Sequence, residues 1–348
     1  MKRPAIVASV FALLALSVVV TVSHAAAAED PGKIYEAAKQ EGEVTLATSG
    51  PAEQYSQVLR AFEQKYPGVK ANLYRNASAK IIEKFMTERR AGKNVIDVMQ
   101  MTEIPVFMNW KKEGLLLEYG SPQGESMPKE FKDPGFWYAS RFAVLAIAIN
   151  TKYVPMGSIK SYADLVKPEF VEKWKGKVTG SDPRYRGTGI EQFFALRERY
   201  GSEWWKPFAK LNIKWATGGA QEESWLASGE AVVSIGLLTY RAAHAIDSGV
   251  PLEIVWPAEG AIPGPTAHVI AANAPHPNAA RLLSDFLLSG EGQKLVVETF
   301  TGVSFRTDTT MKHHPPFDQI KFVPVDYEKL AATDREKLLN EWRAIFGL

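Results

Sequence analysis

The chain has 348 residues, 46% of them hydrophobic, and sets 41 Lys and Arg against 39 Asp and Glu. That balance, with basic residues spread along the chain, excludes a binder of nucleic acid or membrane driven by charge. The absence of Cys excludes disulfides, thiolate metal sites and Cys nucleophiles, and the length suffices for two self-sufficient domains.

Lys2 and Arg3 precede a long apolar run, Ala5 to Val22, and Ser23-His24-Ala25 offers small residues for cleavage. This pattern is a secretory signal peptide over residues 1–25, and it implies export to the periplasm as a soluble protein. No Cys follows the apolar run, so no lipid anchor attaches there. Beyond Pro31-Gly32 the pattern alternates. Ile34 to Gln40 reads as a helix stopped by Gly42, and Val44 to Ala47 as a strand. Thr48-Ser49-Gly50-Pro51 then breaks the chain. Val58, Leu59, Phe62 and Tyr66 share one face of a helix over Tyr55 to Tyr66. Val69 to Tyr74 is a strand, Ala79 to Ala91 a helix, and Val95 to Met99 a buried strand.

The middle of the chain repeats this alternation. Phe142 to Ile149 is one apolar run. Strands follow at Gly176 to Thr179, Ile213 to Ala216 and Ala231 to Leu237. Helices follow at Gly189 to Tyr200, at Glu222 to Ala227 and from Arg241. Pro251 to Ala261 reads as a connection, His268 to Ala272 as a strand, and Pro277 to Leu288 and Gly290 to Phe300 as helices. Alternating strands and helices make an α/β protein with two units. The first takes residues 26–142 and 257–305, the second 143–256 and 306–348. The crossovers near 142–149 and 253–262 form a hinge beneath a cleft.

The ordered segments AAKQEGEVTLATS, FEQKYPGVK, MTERRAGKNVIDVM, WKGKV, DPRYRGTG, ASGEAVVSIGL and SGEGQKLVVETF carry a resemblance across nearly the whole mature chain. Together they resemble the bacterial extracellular solute-binding proteins of ABC importers, in the branch labelled ferric-iron type. The resemblance implies a two-domain type 2 periplasmic-binding fold, a ligand in the interdomain cleft, and an inner-membrane ABC permease as partner. It implies a monomer that needs no cofactor and binds no nucleic acid.

Ferric members of that family hold the metal with a His in the first strand-to-helix loop, a Glu after the third strand and two adjacent Tyr after a later strand. Here Ala52 stands near the His position, Thr102 stands at the Glu position with Glu103 displaced by one, and the pair reads Thr239-Tyr240. One phenol is left, so a resident metal is not expected. The loops instead suit an anion. Thr48 and Ser49 end the first strand, where open α/β sheets hold ligands. Arg184, Arg186, Thr188 and Gly189 lead into one helix, and Gly219 opens another, each offering free N–H groups and partial positive charge. Arg141 stands before the crossover run, and Asn76 and Ser78 follow the second strand. The expected ligand is therefore a small anionic solute, an organic carboxylate, phosphonate or phosphate ester.

Ferric ion or a ferric chelate is the alternative cargo. A periplasmic sensor that signals to a membrane kinase is the alternative use of the same fold. An enzyme is not expected. Gly120-Ser121-Pro122-Gln123-Gly124 misplaces the Ser of a nucleophile elbow, and Gln192 stands where a dinucleotide fingerprint needs its third Gly.

Overall fold

The computed structural model describes residues 31–348, and the signal peptide expected over 1–25 lies outside them. The chain opens with α1 (Pro31–Glu41), β1 (Glu43–Thr48), α2 (Ala52–Lys65), β2 (Lys70–Arg75), α3 (Ser78–Arg90), β3 (Val98–Met101) and α4 (Ile104–Lys112). Strands β4 (Lys132–Asp133) and β5 (Trp137–Phe142) follow. The second lobe contributes β6 (Leu145–Asn150), α5 (Pro168–Trp174), β7 (Val178–Ser181), α6 (Gly187–Tyr200), α7 (Lys206–Ala209), β8 (Lys214–Ala216), α8 (Gly219–Ser228), β9 (Val233–Leu238), α9 (Thr239–Asp247) and β10 (Leu252–Val255). The chain returns through β11 (Pro265–Ile270), α10 (Pro277–Leu288) and α11 (Gly290–Phe300), and finishes with α12 (Tyr327–Ala332) and α13 (Arg335–Phe346).

Two mixed sheets result, ordered β2-β1-β3-β11-β5-β4 and β10-β6-β9-β7-β8. Each is covered by helices on both faces. In the first lobe α2 turns Tyr55, Val58, Leu59 and Phe62 inward at helical spacing. They pack with α1, α10 and α11 on one face, while Phe85 of α3 and Phe107 of α4 cover the other. In the second lobe Phe193 and Phe194 of α6 lie under one face, and Leu226 of α8 and Ala242 of α9 under the other.

Strand direction decides where the site falls. Strands β1, β2 and β3 are parallel. Strand β11 runs antiparallel to both β3 and β5, so β5 points the same way as β3. In the second sheet β7, β8 and β9 are parallel, and β6 opposes β9 with Leu145 across from Leu238. Since β6 starts only three residues after β5 ends, the carboxyl ends of the parallel strands in both lobes face the same crossover. The cleft is the place where those ends meet.

The crossovers are shorter than the sequence suggests. Leu145–Asn150 is a fully buried inner strand, and Leu252–Val255 is an edge strand paired with it. The chain crosses only near 143–145 and 262–264, where the two segments bond side by side. Ala143 N–H donates to Gly264 O at 2.8 Å, and Leu145 and Ile262 exchange bonds at 2.9 and 3.0 Å. Gly264 has φ +49, and a Cβ there would meet Ala143 O at 2.3 Å. Beside this hinge Glu191 of α6 accepts from the Tyr327 hydroxyl at 2.7 Å and from the Gly264 N–H. The end of the chain spans both lobes. Helix α12 packs on α4, while α13 packs on α6 and α7.

Two outcomes follow from this packing. A Cβ on Gly189, in the first turn of α6, would lie 2.6 Å from the Ser181 carbonyl oxygen. Gly189→Ala should therefore cost roughly 1–3 kcal/mol in urea unfolding, and unchanged stability would contradict that close helix–strand contact. Burial pushes Glu191 from its ordinary 4.5 up to about 7, against the opposing pull of its Tyr327 and Gly264 bonds. A carboxyl raised in the fold adds stability at low pH that is lost as pH rises through that value. Relative to Glu191→Gln, the wild type should lose stability, on the order of 3 kcal/mol, between pH about 4.5 and about 7. Parallel stability–pH curves for the two proteins would refute this.

Candidate functional site

On the first lobe, Thr48, Thr102 and Arg141 stand at one end of the sheet, where register pairs Thr48 with Gln100 and Arg141 with Thr266. Thr48 is buried, and its hydroxyl accepts from the Gly50 N–H at 3.1 Å, shaping the turn. Ser49 is half-buried in that turn. Neither hydroxyl caps α2, whose N-cap residue is Pro51 with no side-chain bond. The first N–H groups of α2 are thus left without a side-chain acceptor. Asn76 is occupied locally, accepting from Ala77 N–H at 2.9 Å and donating to the Tyr74 hydroxyl at 3.2 Å. Ser78 is the first residue of α3 and does not occupy its N-cap position. Thr102 is exposed just beyond β3.

Arg141 is the unusual group. It is only 8% exposed, and its Nε is buried without a partner among the described residues. Among the described residues its one side-chain hydrogen bond is a long one, from Nη2 to the Thr266 hydroxyl at 3.4 Å, and its guanidinium lies 5.0 Å from the Phe300 ring centroid. Tyr55, whose hydroxyl is likewise buried and unpartnered, packs edge-on against the same Phe300. The Gln100 carboxamide oxygen is a third such atom. A buried charge is costly unless paired. No carboxylate pairs with this one among the described residues.

The second lobe treats its arginines differently. Arg184 is clamped by buried Asp182 at 2.6–3.2 Å and lies over the Trp342 ring at 5.2 Å. That pairing commits its fork to the protein. Arg186 donates through Nη1 to the Ser181 hydroxyl at 2.5 Å and to Glu222 at 2.6 Å. Glu222 is fully buried. Burial raises its pKa, while Arg186, Ser234 and Ser181 oppose the shift. The other arm of Arg186 reaches the start of α8. A Cβ on Gly219 would meet Arg241 Nε at 2.6 Å and Arg186 Nη2 at 3.2 Å, and α8 has no side-chain cap. Two guanidinium groups therefore converge on an uncapped helix N-terminus, beside a glycine that makes room for them.

Thr188 stands in the first turn of α6, which also lacks a side-chain cap, and it lines an interlobe cavity of about 340 Å³ together with Thr102. Gly189 packs on the strand backbone beneath it, so its lack of a side chain serves the fold. Thr239 is buried at the start of α9, and its N–H holds the crossover through Val144 O at 2.8 Å. Tyr240 is half-buried, with the Arg241 guanidinium 5.5 Å from its ring centroid.

Thr48, Thr102 and Arg141 thus lie at strand ends of the first lobe, and Arg186, Thr188, Gly219 and Tyr240 at or just after strand ends of the second, with Thr102 and Thr188 sharing one cavity. Asn76 and Arg184 are held by their own neighbours. Sequence reasoning missed Arg241, Thr266, Gln100 and Tyr55. Arg241 was within reach of it, since it directly follows the Thr239-Tyr240 pair. Thr266 was not, because only strand register brings it to Arg141.

Among the described residues no helix is long and apolar enough to cross a membrane. A family profile described as bacterial extracellular solute-binding protein matches residues 69–330. An uncharacterized protein of Haemophilus influenzae is 27% identical over 296 residues, covering 81% of this chain and 84% of its own. The periplasmic binding protein AfuA of Actinobacillus pleuropneumoniae, solved with exogenous fructose-6-phosphate bound, is 26% identical with a TM-score of 0.69, over 88% of this chain and 99% of that one. Iron-bound HitA of Pseudomonas aeruginosa shares the fold at a TM-score of 0.70, with 18% identity over 87% of this chain and 99% of that one. A two-lobed α/β fold with facing strand ends, matched along most of its length by that profile, makes this chain a member of the bacterial extracellular solute-binding proteins, which bind solutes and are not enzymes.

Proposed function

We propose that this protein captures a small anionic solute in its interlobe cleft, in the periplasm, and delivers it to an inner-membrane ABC permease. The solute carries a carboxylate, a phosphonate or a phosphate ester. One observation carries this reading: Arg141, near the carboxyl end of β5, is a buried cation with no acidic partner among the described residues. An anion seated there would regain the Coulomb and hydrogen-bond energy that burial removed, and Arg suits the planar, bidentate geometry of such groups. The uncapped starts of α2, α6 and α8 supply further N–H donors facing the crossover. The fructose-6-phosphate bound to AfuA is an anion of the proposed kind.

Ferric ion suits these residues poorly. Position 52 is Ala, and the single phenol after β9, Tyr240, has a guanidinium beside its ring. A fixed cation there opposes a trivalent one.

Arg141→Leu keeps an apolar contact for Phe300 and removes the charge. Titration calorimetry against a panel of organic acids and sugar phosphates should show affinity for the bound anion reduced roughly tenfold to a hundredfold, from about 1.5–3 kcal/mol for a hydrogen bond to a charged group. Urea stability of the empty protein should hold or rise, since an uncompensated buried charge has been removed. Equal affinity in the two proteins would defeat the assignment, and so would tight wild-type binding of neutral solutes alone.

A further inference from the structure

The interlobe cavity of about 340 Å³ is lined by Thr102, Glu103, Thr188, Ile190, Leu330 and Arg335, among others. It brings together the loop after β3, the start of α6, and α12 with the start of α13, so both lobes and the bridging end of the chain enclose it. Its volume suits part of a small metabolite. Thr102 and Thr188 offer hydroxyls, Ile190 and Leu330 an apolar wall.

Glu103 is the group without an explanation in the fold. Its Oε2 is buried and has no hydrogen-bond partner among the described residues. It occupies the N-cap position of α4, yet its side chain makes no capping bond. Arg335, the cation lining the same cavity, donates instead to the carbonyls of Pro183 and Arg184 at 3.3 and 3.2 Å. A carboxylate oxygen shielded from water and from every protein donor calls for a donor supplied by an occupant.

We infer that this cavity is the subsite for the far end of the solute, and that Glu103 accepts a hydrogen bond there from a hydroxyl or ammonium group. The inference rests on the anion reading of Arg141 and refines it. The solute is an anion at one end and a hydrogen-bond donor at the other. In the sheet β11 separates β3, which leads to Glu103, from β5, which carries Arg141.

The test is calorimetric titration of the full mature chain with two matched probe series. One is butyl phosphate, 4-hydroxybutyl phosphate and 4-aminobutyl phosphate. The other is pentanoate, 5-hydroxypentanoate and 5-aminopentanoate. In at least one series a donor-ended probe should bind at least tenfold more tightly than its methyl-ended counterpart, and Glu103→Ala should erase that difference. Because Glu103 caps nothing, the substitution leaves α4 its present capping. Glu103→Gln then tells the two donors apart. It keeps an acceptor for a hydroxyl but removes the charge that an ammonium needs, so only an ammonium preference should collapse. Equal affinity along both series, or a preference that survives Glu103→Ala, would overturn the subsite, while a tenfold or larger loss of affinity in Arg141→Leu would still uphold the anion. Failure of every probe to bind would overturn both.

Discussion

Arg141 holds a positive charge at 8% exposure with no negative one beside it among the described residues. Elsewhere the buried or half-buried arginines of the cleft are neutralised: Arg184 by Asp182, Arg186 by Glu222 and Arg241 by Glu223. Among the described residues the Arg141 side chain has a threonine hydroxyl at 3.4 Å and an aromatic face. Such an arrangement is unfavourable in the empty protein, and on the proposed reading an anion would relieve it.

The topology makes that position useful. Strand β11 returns from the second lobe and inserts between β3 and β5. It turns β5 to run with the parallel strands, which brings Arg141 to the carboxyl end of the sheet instead of the far edge. The same return pairs 262–264 with 143–145, so the hinge is two short hydrogen-bonded segments. Rigid lobes on a narrow hinge are the structural condition for closure on a ligand. The end of the chain adds a third tie, since Val325 and Leu330 pack against the cores of both lobes.

Much of the fold was legible because local signals agreed. The spacing of Val58, Leu59 and Phe62 made α2 readable, and glycines at 42, 68 and 92, all with positive φ, marked the ends of elements. The run from Phe142 to Ile149 was harder. A continuous apolar stretch carries no period, so a buried strand looks like a crossover. The candidate residues were legible as types, and the neighbours that hold them were not. Arg184 and Arg186 are two residues apart and look interchangeable, yet Asp182 captures one and Glu222 the other. Gly189 looks like a ligand-facing glycine until the Ser181 carbonyl is seen against it. The isolation of Arg141 was not legible, because its neighbours Thr266 and Phe300 are more than a hundred residues away along the chain.

The most direct test is to identify what the protein carries. Purified from its native cells and denatured, the mature chain should release one small molecule per chain, and mass spectrometry should find a phosphate, phosphonate or carboxylate in it. The same purification of Arg141→Leu should yield the folded protein without that molecule. A neutral or purely cationic solute, or ferric ion, released equally from both proteins would contradict the account.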